Sequence, residues 1–165
     1  MNSSRFTGKF RGTVSDNADP DGIGRLKVRI PEIFGDNDSG WAMPCVPYAG
    51  EGVGLFLIPP VGASVWVEFE QGNTEFPIWV GCFWNPSAVP GTSSTPAERG
   101  DPQQKVLKTD AGTITINDQT GEITIDISGA KVVLKSGGID IDAGQGTINV
   151  NGSKVSINNG ALEVS

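Results

Sequence analysis

Few residues in this sequence could perform chemistry, and histidine is absent from it. Without histidine, neither a Ser-His-Asp nor a Cys-His nucleophilic site can form, and no metal ion can have a histidine ligand. Glu68 and Glu70 are two residues apart, so in a strand their carboxylates share one face, as a pair for glycoside cleavage could. A solvated or intersubunit strand face explains the same spacing. We therefore expect a protein that is not an enzyme and has no catalytic residue.

Two acidic segments are similar to calcium-binding loops, but each lacks an essential part. Asn17 to Gly22 has the opening of such a loop, yet its twelfth position is Val28 where a bidentate glutamate is needed. Gly137 to Asp142 has part of a calcium-binding β-roll repeat, but it lacks the second internal glycine and does not recur. We predict an Asx-rich turn at the first segment, and no metal ion or other cofactor.

The two cysteines, Cys45 and Cys82, are too few for a disulfide framework. Each lies in an apolar run, which favours buried, reduced thiols. A single disulfide between them is an open alternative.

Three basic residues, Arg25, Lys27 and Arg29, alternate along one predicted strand and could face a nucleic acid. The strand itself carries no interleaved aromatic residue. The chain is also acidic, with a net charge of −7, whereas a nucleic-acid surface is expected to be basic. Nucleic-acid binding is therefore the alternative interpretation, and we expect no nucleic-acid partner.

The last third of the chain is a repeat of short strands that must bury one face. Seven apolar pairs, each with one residue between its members, recur in steps of seven or nine residues, and glycine or another turn former lies in each gap. We predict that these residues form the core of a trimer: Ile114, Ile116, Ile123, Ile125, Val132, Leu134, Ile139, Ile141, Ile148, Val150, Val155, Ile157, Leu162, Val164.

The number of repeats argues for three chains. Seven strands make little more than two turns of a three-sided solenoid, which generally needs at least three stacked repeats. Three chains wound together would let each strand pair with strands from other copies, which removes exposed edges. The odd steps keep the same face of each strand toward the axis. We predict an intertwined trimeric β-helix, a triangular prism roughly 35 Å long.

The first half of the chain predicts a small β-barrel. Leu26, Val28 and Ile30 alternate with polar residues, as do Val65, Val67 and Phe69, and each set is expected to face a core. Further strands are predicted at 10–14, 41–48, 55–58 and 77–83. A segment rich in Pro, Ser and Gly follows. We divide the chain into a barrel domain at 1–85, a linker at 86–107 and a repeat domain at 108–165.

The barrel sequence is similar to one known family. Its features include Gly24-Arg25-Leu26-Lys27-Val28 with Pro31, and Pro59-Pro60-Val61-Gly62 followed by Val65, Val67 and Phe69. Over residues 6–85 the chain resembles the N-terminal OB-fold of baseplate assembly protein V, the central spike of contractile phage tails. The valine–glycine-repeat spikes of type VI secretion carry a similar domain. The all-β fold is thus expected to be an N-terminal OB-fold barrel followed by the C-terminal trimeric β-helix.

The resemblance implies a structural spike at the centre of the baseplate of a contractile tail or injection machine. A homotrimer would link a hub protein above the OB ring to a membrane-puncturing tip, and would touch the target-cell membrane transiently. Related spikes with an inserted lysozyme domain suggest a cell-wall hydrolase, but the linker is too short to contain one. An OB-fold nucleic-acid-binding protein with a trimerising tail is the other alternative.

The C-terminal end continues in strand register without any metal ligand, which differs from relatives that bind iron at the tip. We expect a separate PAAR-like tip protein to contact Ala161, Leu162 and Val164. No apolar segment follows Met1, so we expect assembly in the bacterial cytoplasm and a final location in a virion or injection-particle baseplate.

Overall fold

The computed structural model of the chain describes residues 6–86, 88–90 and 100–164. The chain divides into two compact units, Met1–Pro86 and Ser87–Ser165. Residues 87 and 91–99 of the linker predicted at 86–107 lie outside the described residues. The part nearest the repeat is described, and residues 104–108 form a strand, of which all but Lys108 fall within the predicted linker.

The N-terminal unit is built from seven short strands and two short helical turns. Its elements, in chain order, are β1 Phe10–Asp16, β2 Lys27–Arg29, α1 Pro31–Phe34, β3 Met43–Pro44, β4 Ala49–Gly50, β5 Val53–Gly54, β6 Ser64–Phe69, a 3-10 turn Glu70–Gly72 and β7 Pro77–Cys82. Strands β4 and β5 form a separate hairpin.

The five remaining strands form a sheet whose ends are joined. Their order is β2-β1-β6-β7-β3, antiparallel except for the parallel pair β3–β7. Leu26, just before β2, and Ala42, just before β3, exchange backbone hydrogen bonds of 3.1 and 2.7 Å. Because this bridge connects the two ends of the sheet, the strands close into a barrel. Five strands that are antiparallel except for one parallel pair are the arrangement of an OB-like barrel.

The barrel interior contains the nine buried apolar residues of the described chain. Alternation along β6, and along β2 with the residues that flank it, places six of them there because every second side chain of a strand points to the same face. The predicted inward faces are confirmed, since Leu26, Val28, Ile30, Val65 and Val67 are fully buried and Phe69 is 6% exposed. Trp79 packs in the same core and donates its indole N–H to the Gly24 carbonyl oxygen at 3.0 Å.

The prediction of a strand at 55–58 is wrong. These residues follow the β4–β5 hairpin without strand structure, and Leu55, Phe56 and Leu57 are at least half exposed. The strand predicted at 41–48 is reduced to the two residues of β3. These apolar runs next to prolines do not alternate with polar residues. Their composition alone therefore did not distinguish a strand from an exposed loop.

The C-terminal unit is one eight-stranded antiparallel sheet in which every strand pairs with its neighbours in sequence. The strands are β8 Gln104–Lys108, β9 Gly112–Asn117, β10 Glu122–Ile127, β11 Ala130–Lys135, β12 Gly138–Asp142, β13 Thr147–Asn151, β14 Lys154–Ile157 and β15 Leu162–Val164.

This meander differs from the interleaved strands expected from the sequence. In β9 to β14 both edges are paired within the chain, so the backbone of these strands has no free edge for another copy. The short turns explain this result, because connections of two to five residues favour a hairpin with the next strand. Serine and glycine alone, at 128–129, connect β10 to β11.

Candidate trimerisation face

The seven apolar pairs lie on one face of the C-terminal sheet. Cross-strand register joins them into two columns, because the members of each pair stand directly opposite the members of the next. One column contains Ile116, Ile123, Leu134, Ile139, Val150, Val155 and Val164, and the other contains Ile114, Ile125, Val132, Ile141, Ile148, Ile157 and Leu162. All fourteen residues predicted from the repeat are therefore brought together. We call this surface the apolar face.

The apolar face has no cover within the chain. Ten of its fourteen side chains are between 37% and 60% exposed, and the other four are half-buried. Among the described residues of this unit, 100–164, none is buried. A sheet with one apolar face in water is unstable until that face packs against another layer. The apolar face is therefore a candidate interface for another layer.

Two further members of this face were not predicted from the sequence. Leu107 lies on β8 opposite Ile114, and Ile127 ends β10 opposite Ala130 and Gly112. Leu107 was missed because its partner position two residues earlier is Lys105, so no apolar pair marks the strand. The lysine instead forms an ion pair with Asp118.

The opposite face of the sheet is polar. Its central column contains threonines, Asn149 and Ser156, together with Asp140, which forms an ion pair with Lys135. Val133 is an apolar member, and register places it between Thr124 and Asp140. The two faces therefore differ sharply, and only one of them is suited to a dry contact.

Gly138 is required for the register that aligns the columns. Its φ is +152°, and a Cβ atom built there would lie 1.8 Å from the Val150 carbonyl oxygen on the neighbouring strand. The residue before it, Gly137, has nothing within 4 Å of the same position. Only Gly138 of this pair allows the close approach of β12 and β13.

Comparisons with protein families match both units of the chain. Residues 10–84 match the injector OB domain of type VI secretion systems and phage baseplates, and residues 104–163 match the C-terminal trimerisation domain of phage baseplate V proteins. The two matches leave out only the chain ends and the segment between the units. The chain belongs to the phage baseplate V family. A search among curated proteins found no significant match.

Membership of the baseplate V family bears on the oligomeric state of the chain. The matched trimerisation domain includes β8 to β14 and most of β15, and it supports a homotrimer. The family supports a structural role in the baseplate of a phage or a type VI injection machine. No helix among the described residues is long and apolar enough to cross a membrane.

In this baseplate V chain, Asp19 organises the acidic loop that is similar to a calcium site. Its carboxylate accepts hydrogen bonds from the backbone N–H groups of Asp21, Ile23 and Arg25, at 3.0–3.1 Å, and from the Arg25 guanidinium at 2.7 and 2.9 Å. The guanidinium, together with these backbone donors, holds the pKa of Asp19 well below its usual range. The predicted Asx turn is confirmed. The described residues contain no acidic cluster that could hold a metal ion.

The predicted basic face is largely neutralised by neighbouring acids. Arg25 pairs with Asp19 and Asp21, and Arg29 pairs with Asp38 at 3.3 Å. The structure also brings Trp41 beside Arg25 and Lys27, with the Lys27 Nζ atom 4.9 Å from the ring centroid. An aromatic group therefore accompanies these cations, from a segment that strand spacing alone did not connect to them.

Glu68 and Glu70 do not form a pair on one strand. Strand β6 ends at Phe69, and Glu70 begins the following 3-10 turn. Glu68 forms an ion pair with Lys9. The prediction that the two carboxylates share one face of a strand is wrong, because the strand ends before Glu70.

Cys45 and Cys82 are both free and both exposed. The favoured prediction of buried thiols is therefore wrong, and so is the alternative of a disulfide between them. An apolar run by itself does not determine which of its side chains face the core, and these two face solvent.

Proposed function

We propose that this chain is the structural spike at the centre of a contractile-tail or injection-machine baseplate. In this function a homotrimer links the hub and tube to a membrane-puncturing tip and performs no catalysis. The observation that carries the proposal is the uncovered apolar face next to an injector-type OB barrel in one chain.

The trimer is proposed to be a triangular prism in which each chain supplies one wall. Strands of five or six residues, as in β9 to β13, are roughly 17–20 Å wide at about 3.3 Å per residue. Three walls of that width enclose an axis about 5 Å from each wall, which is half the roughly 10 Å spacing of packed sheets. Two inward apolar side chains per strand therefore fill the interior. The fourteen residues of the apolar face form the trimer core.

The prism form has a mechanical consequence. With strands across the axis, the backbone hydrogen bonds run along it, and eight strands at about 4.8 Å give a ladder roughly 34 Å long. Force along the axis then loads a continuous ladder in each wall, with the three walls joined through the dry core. The structure suits a rigid rod that transmits thrust to a target-cell membrane, which it contacts transiently.

The two ends of the rod are proposed to bind different partners. The OB barrels form the ring that contacts the baseplate hub protein. At the other end Leu162 and Val164 are 55% and 60% exposed on β15, whose outer edge has no partner strand within the described residues. A PAAR-like tip protein seated on Ala161, Leu162 and Val164 would cover this end. The spike is assembled in the bacterial cytoplasm and ends in the virion or injection particle.

Native mass spectrometry, followed by electron microscopy of particles, tests the proposal. The 17.3 kDa chain should have a mass of about 52 kDa in solution, as a closed three-fold assembly requires. In the particle, density for the trimer should lie on the axis of the baseplate, beyond the tube. A stable monomer, or a trimer located at the periphery of the baseplate, would contradict the proposed function.

A further inference from the structure

The OB-like unit carries a second exposed apolar surface that the trimerisation domain does not explain. It consists of the β4–β5 hairpin, the segment after it and one residue of an earlier loop. Five large side chains, which together we call the hairpin patch, line one shallow depression and are 48–68% exposed: Ile23, Tyr48, Val53, Leu55 and Phe56. Contiguous apolar surface of this kind marks an interaction site.

The hairpin patch is a built surface whose position is fixed by backbone contacts. Leu55 donates its N–H to the Tyr48 carbonyl oxygen at 2.9 Å, which ties the segment to the hairpin. At Gly24 an added Cβ atom would lie 2.7 Å from Ile58 and 3.4 Å from the Phe56 ring. The patch therefore lies directly on the barrel, and Ile58 packs against the core beneath it.

Charge indicates what can cover the patch. No charged side chain lines the depression, although residues 6–86 contain five basic and ten acidic side chains. Most surfaces of two copies of this unit would therefore repel each other. The side chains that line the patch can therefore meet their copies without opposing like charges.

The trimerisation domain keeps the copies close enough to use such a surface. Its match begins at residue 104, and the OB match ends at residue 84, so a short tether joins each OB unit to the trimer. Tethers of this length give effective concentrations on the order of millimolar, at which a small apolar contact forms readily.

We propose that the hairpin patches of three copies meet one another and form a second trimer contact, between the OB units. A side chain on a three-fold axis meets two copies of itself, so charged groups are disfavoured there and uncharged apolar groups are favoured. This inference rests on the homotrimer of the proposed function.

Disulfide trapping in the full-length protein tests the contact. In a background with Cys45→Ser and Cys82→Ser, cysteine is introduced at Val53 or at Phe56, and at Asp36 as an exposed control outside the patch. After mild oxidation, Val53→Cys or Phe56→Cys should give disulfide-linked dimers on a non-reducing gel. Three thiols around one axis allow one disulfide per trimer, so roughly two thirds of the chains should migrate as dimers. Asp36→Cys should remain monomeric on the gel.

Native mass measured on the same samples separates the two proposals. A trimer in which neither patch cysteine cross-links overturns the patch contact and leaves the trimer intact. Equal cross-linking of Asp36→Cys also overturns it, since collisions of tethered units would then explain the result. If the patch thiols are protected from oxidation only when a hub protein is added, the patch binds that protein. This result would likewise overturn the contact between copies. A monomeric mass contradicts the proposed function itself.

Discussion

Ile141 on β12 stands directly opposite Ile148 on β13, yet the two side chains remain 37% and 38% exposed. In a folded protein such a pair would ordinarily lie beneath a second layer. The corresponding side chains on the other strands from β9 to β15 are likewise exposed or half-buried. The C-terminal unit is therefore a single layer with an uncovered apolar face, and in the proposed trimer the other layers would belong to other copies.

A lysine in the apolar face should prevent trimer formation. Ile125 lies between Ile114 and Val132, and Ile125→Lys would place three unpaired ammonium groups in the proposed core. Each would cost several kcal/mol, so we expect a monomer by native mass spectrometry or analytical ultracentrifugation. The matched control is Thr124→Lys, one residue earlier on the polar face, which should stay trimeric. Ile125→Lys with wild-type mass would argue against the interior position of this face.

Tryptophan fluorescence should separate the two units in the same variant. All four tryptophans lie before residue 85, and Trp79 is part of the barrel core. The OB-like unit has its own core and should keep its native emission in Ile125→Lys. The C-terminal unit has no buried residue of its own among those described, so the β-sheet signal in circular dichroism should decrease. A joint loss of both signals would show that the units do not fold independently.

Two adjacent glycines should respond differently to alanine. At Gly138 a methyl group would meet the Val150 carbonyl oxygen, and its φ of +152° disfavours any other residue. Gly138→Ala should destabilise the C-terminal unit by about 1–3 kcal/mol or more, measured by denaturant unfolding of the trimer. Gly137→Ala has open space and should change the free energy of unfolding by less than about 0.5 kcal/mol. Similar values for the two variants would contradict the register described for β12 and β13.

Two valines near β6 should separate the barrel core from its surface. Val65 is fully buried, so Val65→Ala should lower the free energy of unfolding of the OB-like unit by about 1.5–3 kcal/mol. Val61 is 59% exposed, and Val61→Ala should have an effect below about 0.5 kcal/mol. The measurement is urea unfolding followed by tryptophan emission. An effect of Val61→Ala as large as that of Val65→Ala would argue against the assigned inward face of β6.

The Asp19 ion pair should make the OB-like unit sensitive to acid. Because the folded-state pKa of Asp19 is lowered, its contribution is complete above the usual carboxyl pKa of about 3.9 and is lost as the pH falls toward the lowered value. Asp19→Asn should therefore lower the thermal midpoint at pH 7, and the difference from wild type should narrow between about pH 5 and pH 3. Asp36→Asn, an exposed acid without an ion pair among the described residues, should leave the midpoint unchanged at pH 7. A deficit for Asp19→Asn that is as large at pH 3 as at pH 7 would contradict this role.

Much of the local structure could be read from alternation. The inward residues of β2 and β6 and the common face of the seven apolar pairs follow from the two-residue period of a strand, which depends on the backbone alone. The family of the barrel was also recognisable from short motifs. Where proline and glycine interrupt an apolar run, as at 55–58, the period is lost, and the predicted strand proved to be part of an exposed patch.

Pairing was the property that alternation left open. The apolar period states that Ile123 and Ile125 share a face, but not whether the next strand belongs to the same chain or to another. The turn at Ser128-Gly129 carried that information, because two residues can only return the chain beside itself. The count of repeats predicted strands interleaved between chains. The structure instead has a meander within one chain, because its short turns form hairpins.

The sequence by itself determined that the chain is an all-β protein without a histidine-based site, with one barrel core and one repeated apolar face. Tertiary structure alone decided which strands pair, that Trp41 joins Arg25 and Lys27, and that the hairpin patch lies uncovered on the barrel. The physical reason is the range of the interactions. Strand faces are set by neighbours two residues apart, whereas register, long-range contacts and exposed patches depend on how distant segments pack.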